Sequence, residues 1–278
     1  MIEKIKKELI EEVSRLLGED KKISIESIRK NNRTEKTGLV ILTEGRSANP
    51  VIHIDDVLAY IAEGKSTVAE QAKRIQQAYA AVEEACEKIE IPPVKSRNYL
   101  LEHVILQLVN AERNAELLES VPHRKFLDLA VIYRAILNSD KEEFSSAIVT
   151  NSMAEAADVT LEELEEAAKK NTRDAGFSAI PLVPFTCTVL TNENKMFGAN
   201  ALLFEDLLME QADKFQGDLY IVLTSIHELI VQPASVFDTE FLKSMAVDNN
   251  SKMVVEEEFL SDSVYRFSRD TGEITIEM

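Results

Sequence analysis

Residues 67–93 constrain the fold more than any other stretch. Val68, Ala72, Ile75, Tyr79, Val82, Cys86 and Ile89 follow one another at alternating spacings of four and three. That rhythm predicts a long amphipathic helix near residues 67–90 with one apolar stripe. Thr67 and Glu70 stand at capping-box spacing at its start. Ile91-Pro92-Pro93 ends it, because proline lacks an amide hydrogen and disfavours helix in the residue before it. Such a stripe must be buried at home or against something else. Residues 68–89 are therefore a candidate surface for a homodimer or a protein partner. The double proline is also the best boundary in the chain. It predicts an α+β region at 1–93 and a second at 94–278, unless the two form one continuous domain.

Around this helix the patterns alternate between periods. Ile2, Ile5, Leu9, Val13, Leu16 and Leu17 predict a helix stopped by Gly18. Ile23 and Ile25 alternate with polar residues, and Leu39-Val40-Ile41-Leu42 follows a polar turn, which predicts a hairpin. Val51 to Ile54 is a short strand or the start of a helix. Tyr99 to Val109 is apolar and fits strand or helix. Val121 to Arg124 reads as a connection, and Phe144 to Val149 as a strand. Thr160 and Glu163 cap a short helix reaching about Lys170. A link is expected over 174–184, then a hairpin with Phe185 to Leu190 and Met196 to Ala201 as its arms. Leu202 to Phe215 reads as a helix, and Leu219 to Leu223 with Ile226 to Val231 as a strand pair or one bent strand. Asp238 caps a further helix. Val264 to Ile276 closes the chain as a hairpin turning at Arg269 to Gly272. With no regular βαβ period, the expected class is α+β: mixed, largely antiparallel sheets with packed helices.

The chain carries 31 Lys+Arg against 49 Asp+Glu, a net charge of −18. Residues 1–36 hold ten basic and eight acidic groups, so the remainder carries 21 against 41, or −20. That field repels a phosphate backbone, and direct nucleic-acid binding is not expected. No run of about 18 apolar residues predicts a membrane span. The opening Met1 to Glu8 is too charged for the apolar part of a signal peptide, which points to the cytoplasm. Cys86 and Cys187 are far apart and outside any Cys-x-x-Cys pair, so zinc-ribbon and thioredoxin chemistry lack their spacing. Eight glycines form no phosphate loop or dinucleotide fingerprint. No metal and no cofactor are expected.

Four places carry chemistry worth weighing. His227-Glu228, with Ser225 beside them, could supply an acid/base pair or a metal ligand. A zinc-protease motif, however, needs a second histidine where Val231 stands. The bland alternative is a histidine that fixes a turn. His123-Arg124-Lys125 after Pro122 could hold a phosphate or carboxylate, or Arg124 could clamp its own loop. Asn192, in the turn Thr191 to Lys195, could line a pocket or simply bond its own backbone. Cys187 could act with His227 only if their strands adjoin, and free cysteines mostly pack. Glu256-Glu257-Glu258 lacks the alternating pattern of a calcium loop and reads as a solvated helix start.

Five phrases keep a fixed order: Val121-Pro122-His123-Arg124-Lys125-Phe126-Leu127-Asp128-Leu129-Ala130, Val189-Leu190-Thr191-Asn192, Phe197-Gly198-Ala199, Ser225-Ile226-His227-Glu228 and Leu260-Ser261-Asp262-Ser263-Val264-Tyr265. In these the chain resembles an uncharacterised bacterial domain-of-unknown-function family over nearly its whole length. The family usually has a proline before Ser-Ser-Ile-His-Glu, where this chain has Leu223-Thr224, and an aromatic residue at the place of His53. The resemblance implies a soluble intracellular protein and brings no activity, cofactor or partner. The leading expectation is a non-catalytic binding or interaction module. The alternatives are a small hydrolase or transferase centred on His227 with Glu228, Ser225 and Arg124, and an acidic decoy that imitates nucleic acid.

Overall fold

Residues four apart bury one side of the first helix, α1 (Ile2–Leu17), at Ile5, Leu9 and Val13. Gly18 then ends it with φ 94°, a conformation open to residues without a Cβ. In the computed structural model, which describes residues 1–18, 20–46, 49–88, 91–140, 143–183 and 186–277, this helix opens the first of two compact units, Met1–Pro92 and Pro93–Met278. The first unit continues with β1 (Lys21–Arg29), β2 (Glu35–Thr43), β3 (Val51–His53), α2 (Asp55–Ala62) and α3 (Val68–Lys88). The strands pair antiparallel in the order β1-β2-β3. Ile5, Leu9, Val13, Leu39, Ile41, Ile54 and Leu58 form its core with Ala72, Ile75 and Tyr79 of α3. The α3 stripe is thus buried at home along its first half, while Val82 is 40% exposed. The side chains of Cys86 and Ile89 lie outside the described residues. The capping box is formed: Glu70 N–H donates to Thr67 Oγ1 at 3.2 Å and Thr67 N–H to Glu70 Oε2 at 3.0 Å.

The second unit holds two sheets. Its early part runs α4 (Arg97–His103), β4 (Val104–Asn110), α5 (Ala115–Leu118), β5 (His123–Phe126), β6 (Leu129–Asp140) and β7 (Glu143–Ile148). β6 is the long central strand, with β4 on one side and β5 and β7 in succession on the other. Two helices follow, α6 (Asn151–Ala156) and α7 (Leu161–Asp174). The remainder comprises β8 (Phe177–Val183), β9 (Cys187–Asn192), α8 (Glu205–Phe215), β10 (Leu219–Ser225), β11 (Glu228–Pro233), α9 (Thr239–Met253), β12 (Val264–Phe267) and β13 (Ile274–Glu277). These strands form an antiparallel sheet in the order β13-β12-β10-β11-β9-β8. One core joins both sheets. Leu106, Leu108, Val131 and Tyr133 come from the first, Leu190, Ile221, Leu229 and Tyr265 from the second, and Leu164 and Ala168 from α7. Helices and antiparallel sheets make the fold α+β.

Several elements differ from the sequence expectation, each for a physical reason. The expected link over 174–184 contains β8, paired with β9 from Phe177↔Asn192 onward. Pro181 is tolerated there because β8 is an outer strand. The expected return arm Met196 to Ala201 is instead a 3-10 turn at Gly198–Leu203, so the hairpin partner of β9 precedes it in sequence. The expected connection at 121–124 gives way to β5 from His123. Glu256–Glu258 is a 3-10 turn. Tyr99 to Val109 is half helix and half strand, which is why one period does not fit it.

Candidate functional site

The turn joining β10 to β11 is the phrase Ser225-Ile226-His227-Glu228, with Ser225 paired to Glu228 and Ile226-His227 at the corner. Ser225 Oγ accepts the His227 N–H at 3.0 Å. The imidazole Nδ1 accepts the Phe197 N–H at 3.3 Å, which places the ring proton on Nε2. Nε2 lies 3.4 Å from Glu258 Oε1. The His227 carbonyl accepts Thr191 Oγ1 at 2.9 Å, and the Ile226 N–H donates to the Glu258 carbonyl at 2.9 Å. Asn192 closes its own loop, its Oδ1 accepting the Met196 N–H at 2.9 Å and its amide donating to the Met196 carbonyl. Phe197 stands between these phrases with φ 60°, left-handed for a bulky residue. Its ring stacks on His227 at 6.0 Å between centroids. A Cβ on Gly198 would lie 2.3 Å from the His227 carbonyl oxygen, so the backbone there approaches closer than any side chain permits.

A second knot forms around Asp128, in the two-residue turn between β5 and β6. Its Oδ2 accepts Ser261 Oγ at 2.5 Å and Ser263 Oγ at 3.1 Å, and its Oδ1 accepts Tyr265 Oη at 2.6 Å. Burial, then the Asp128 charge and hydrogen bond, push the Tyr265 phenol far above its ordinary range. Leu127, beside Asp128, has φ 56°. The three hydroxyls thus hold a strained turn in place.

His123 and Arg124 belong to neither knot. They lie on β5, in the other sheet from the Ser225–Glu228 turn. His123 is exposed, with Nδ1 3.0 Å from the Val121 carbonyl. Arg124 Nε lies 2.8 Å from Glu165 Oε1 of α7, an ion pair whose N–H does not line up on that oxygen. The buried Tyr133 hydroxyl, its pKa raised by burial first and by Glu165 second, is close to this pair. Glu228 turns to Thr224, whose Oγ1 donates to its carboxylate at 3.4 Å. Cys187 is on β9, which does adjoin β11. Yet Leu190 faces Leu229, and continuing that register sets His227 opposite Asn192, roughly 16 Å of strand from Cys187. Burial pushes the Cys187 thiol up, away from thiolate. Among the described residues no three His, Cys, Asp or Glu side chains are grouped to hold a metal ion.

Three contributors escape a sequence reading of sites: Glu258, Asp128 and Arg134. Asp128 lies inside a phrase already singled out. Arg134 is a lone cation in the apolar run Leu129 to Leu137, a signal that was there to be used. Its Nε donates to Ser146 Oγ and its Nη2 to the Ser146 carbonyl, both at 2.8 Å. Nη1 donates to Gln107 Oε1 at 3.1 Å. Burial lowers its pKa to about 10.

These contacts join the phrases in which the chain resembles a family. A family model matches residues 2–181 and 184–269 and is described as a family of unknown function, DUF5688. The chain belongs to this family. No curated protein and no solved structure matches it. In this DUF5688 chain, Val189 to Asn192, Phe197 to Ala199 and Ser225 to Glu228 meet at one knot. The Asp128 and Tyr265 phrases meet at the other. Among the described residues no helix is long and apolar enough to cross a membrane.

Proposed function

We propose that this DUF5688 protein is a non-catalytic, cytoplasmic interaction module whose polar phrases brace its architecture. The observation that carries this reading is the engagement of His227. Nδ1 takes a backbone amide and Nε2 faces Glu258, so neither nitrogen is left to take a proton from a substrate. Ser225 turns its oxygen to the His227 backbone N–H. Those facts weigh against a hydrolase or transferase centred on His227. The acidic-decoy reading loses support too, because exposed Glu3, Asp174, Glu210 and Asp248 pair locally with Lys.

The interaction reading gains from α9 and its flanks. Val236, Phe241, Met245, Val247, Met253 and Val255 are exposed large apolar side chains within one short stretch. Phe241 and Met245, four apart, share a strip of the helix. Concentration of this kind marks contact surfaces. A photo-crosslinking residue at position 241, expressed in the native cell, should trap one defined protein that the same residue at exposed Glu162 does not. Equal or absent trapping from both positions, together with His227-dependent turnover in a screen of esters, phosphoesters and peptides, would defeat the proposal.

A further inference from the structure

The acidic surplus is not shared evenly. Residues 1–92 hold 15 basic and 17 acidic groups, so residues 93–278 carry 16 against 32. The first unit is therefore close to neutral and does not itself repel anions. It contains a cavity of about 520 Å³ between α2, the turn after it and the first turns of α3. Tyr60, Lys65, Glu70, Gln71, Lys73 and Arg74 line it. The turn is preformed: Gly64 has φ 70°, and the Lys65 and Ser66 amides both donate to the Tyr60 carbonyl, at 2.9 and 3.3 Å. Glu70, Lys73 and Arg74 reach one opening because residues three and four apart share a helix face.

The floor of this cavity holds an unused donor. The other five side chains are exposed, whereas Gln71 is 2% exposed and its Nε2 has no hydrogen-bond partner. A buried donor without an acceptor is costly and rare in native structures. At the rim, Lys65 pairs with Glu63, and Glu70 Oε2 accepts the Thr67 N–H and Ser66 Oγ, each at 3.0 Å. On the α1 side, Glu12 is held by Arg15 Nε at 3.0 Å. Lys73 and Arg74 are left without an ion pair among the described residues. One floor donor and two uncompensated cations suit a compact oxyanion of charge near −2. Phosphate, at about −1.5 to −2 near pH 7, matches this better than a monocarboxylate. The volume falls in the range of small-molecule sites, and the exposed Tyr60 ring, with Lys65 5.9 Å from its centroid, borders the remaining space. We propose that this cavity binds a phosphate group, free or carried by a small organic molecule, with Gln71 donating from the floor and Lys73 and Arg74 neutralising it. The inference concerns the first unit and rests neither on α9 nor on the interaction reading.

The test is titration of the full chain, at constant ionic strength, with inorganic phosphate, phosphoserine, adenosine monophosphate and acetate. Binding is read from the Gln71 side-chain amide resonance and from the heat of binding. Inorganic phosphate should bind saturably, move the Gln71 signal and bind at least about fivefold more tightly than acetate. Tighter binding of phosphoserine or adenosine monophosphate assigns an organic phosphate as the source; inorganic phosphate binding as tightly as both assigns the free ion. K73Q and R74Q alter exposed helix positions and should each weaken phosphate binding by roughly fivefold. K30Q removes the same charge from another exposed position and should leave binding unchanged. Q71L removes a donor that has no partner, so Tm without phosphate should stay level or rise while phosphate binding weakens. No saturable shift at Gln71, acetate binding as tight as phosphate, equal losses in K30Q and R74Q, or undiminished binding by Q71L would each overturn the assignment.

Discussion

At Gly198 an added methyl group would meet the His227 carbonyl, Thr191 Oγ1 and the Asn192 amide, all within 2.7 Å. Two of these three are backbone, which cannot swing aside. Gly198→Ala should therefore lower the unfolding free energy by about 1–3 kcal/mol, the range for overpacking a close-fitted site; an unchanged urea midpoint would contradict the packing described. A pH effect belongs to the same scale. The Arg269 backbone N–H, then the Arg266 side chain, hold the Asp218 carboxyl below its ordinary range. A depressed folded pKa stabilises above the unfolded aspartate value of about 3.9, and this contribution is lost as pH falls through the folded pKa. Asp218→Asn should thus make the loss of stability between pH 6 and pH 2 shallower than in the wild type; parallel acid limbs would refute this. Residue-level roles were only half legible. The spacing of Thr67 with Glu70 and of Thr160 with Glu163 announces capping boxes that both form. Nothing in the spacing of His227 announces Phe197 or Glu258 as its partners, because those contacts span about 30 residues of chain in each direction.

β4 shows how an element's free edge is finished by side chains. On the side away from β6, the Leu106 N–H donates to Thr172 Oγ1 at 2.9 Å, and the Leu108 N–H donates to Asn200 Oδ1 at 3.1 Å. The Asn200 amide returns a hydrogen bond to the Leu106 carbonyl at 2.6 Å. One asparagine acts as a stand-in strand, which protects the edge from foreign pairing. Asn200→Ala should cost about 2–4 kcal/mol, since two buried backbone groups lose their partner. Hydrogen exchange should speed at the Leu108 amide and stay slow at Leu106, which Thr172 still holds. Equal rates at both would show that the edge does not depend on Asn200. Periodic elements such as α1, α3 and the β12–β13 hairpin could be read from the sequence because their apolar spacing repeats. β8 and the Gly198–Leu203 turn could not. A proline in an outer strand looks like a link, and a 3-10 turn buried on all sides has the same apolar run as a strand.

At the scale of the whole molecule, each unit has its own buried core, one around Leu9, Ile41 and Tyr79, the other around Val131, Ile221 and Tyr265. Separate cores predict separate folding. Residues 1–92 and 93–278, expressed alone, should each unfold cooperatively; a molten 93–278 fragment would show that the proposed division is false. The account as a whole holds that the DUF5688 phrases stabilise this fold and do no chemistry. Residues kept for chemistry are often held against the interest of stability, so replacing them leaves stability unchanged or raises it. Residues kept as braces behave oppositely. The most direct measurement is the unfolding free energy of Asp128→Ala and His227→Ala against the wild type. The account predicts a loss of more than about 1 kcal/mol in each, as expected when Asp128 gives up three hydrogen bonds from hydroxyls and His227 its bond from the Phe197 amide and its contact with Glu258. Stability equal to or above that of the wild type at position 227 would contradict it.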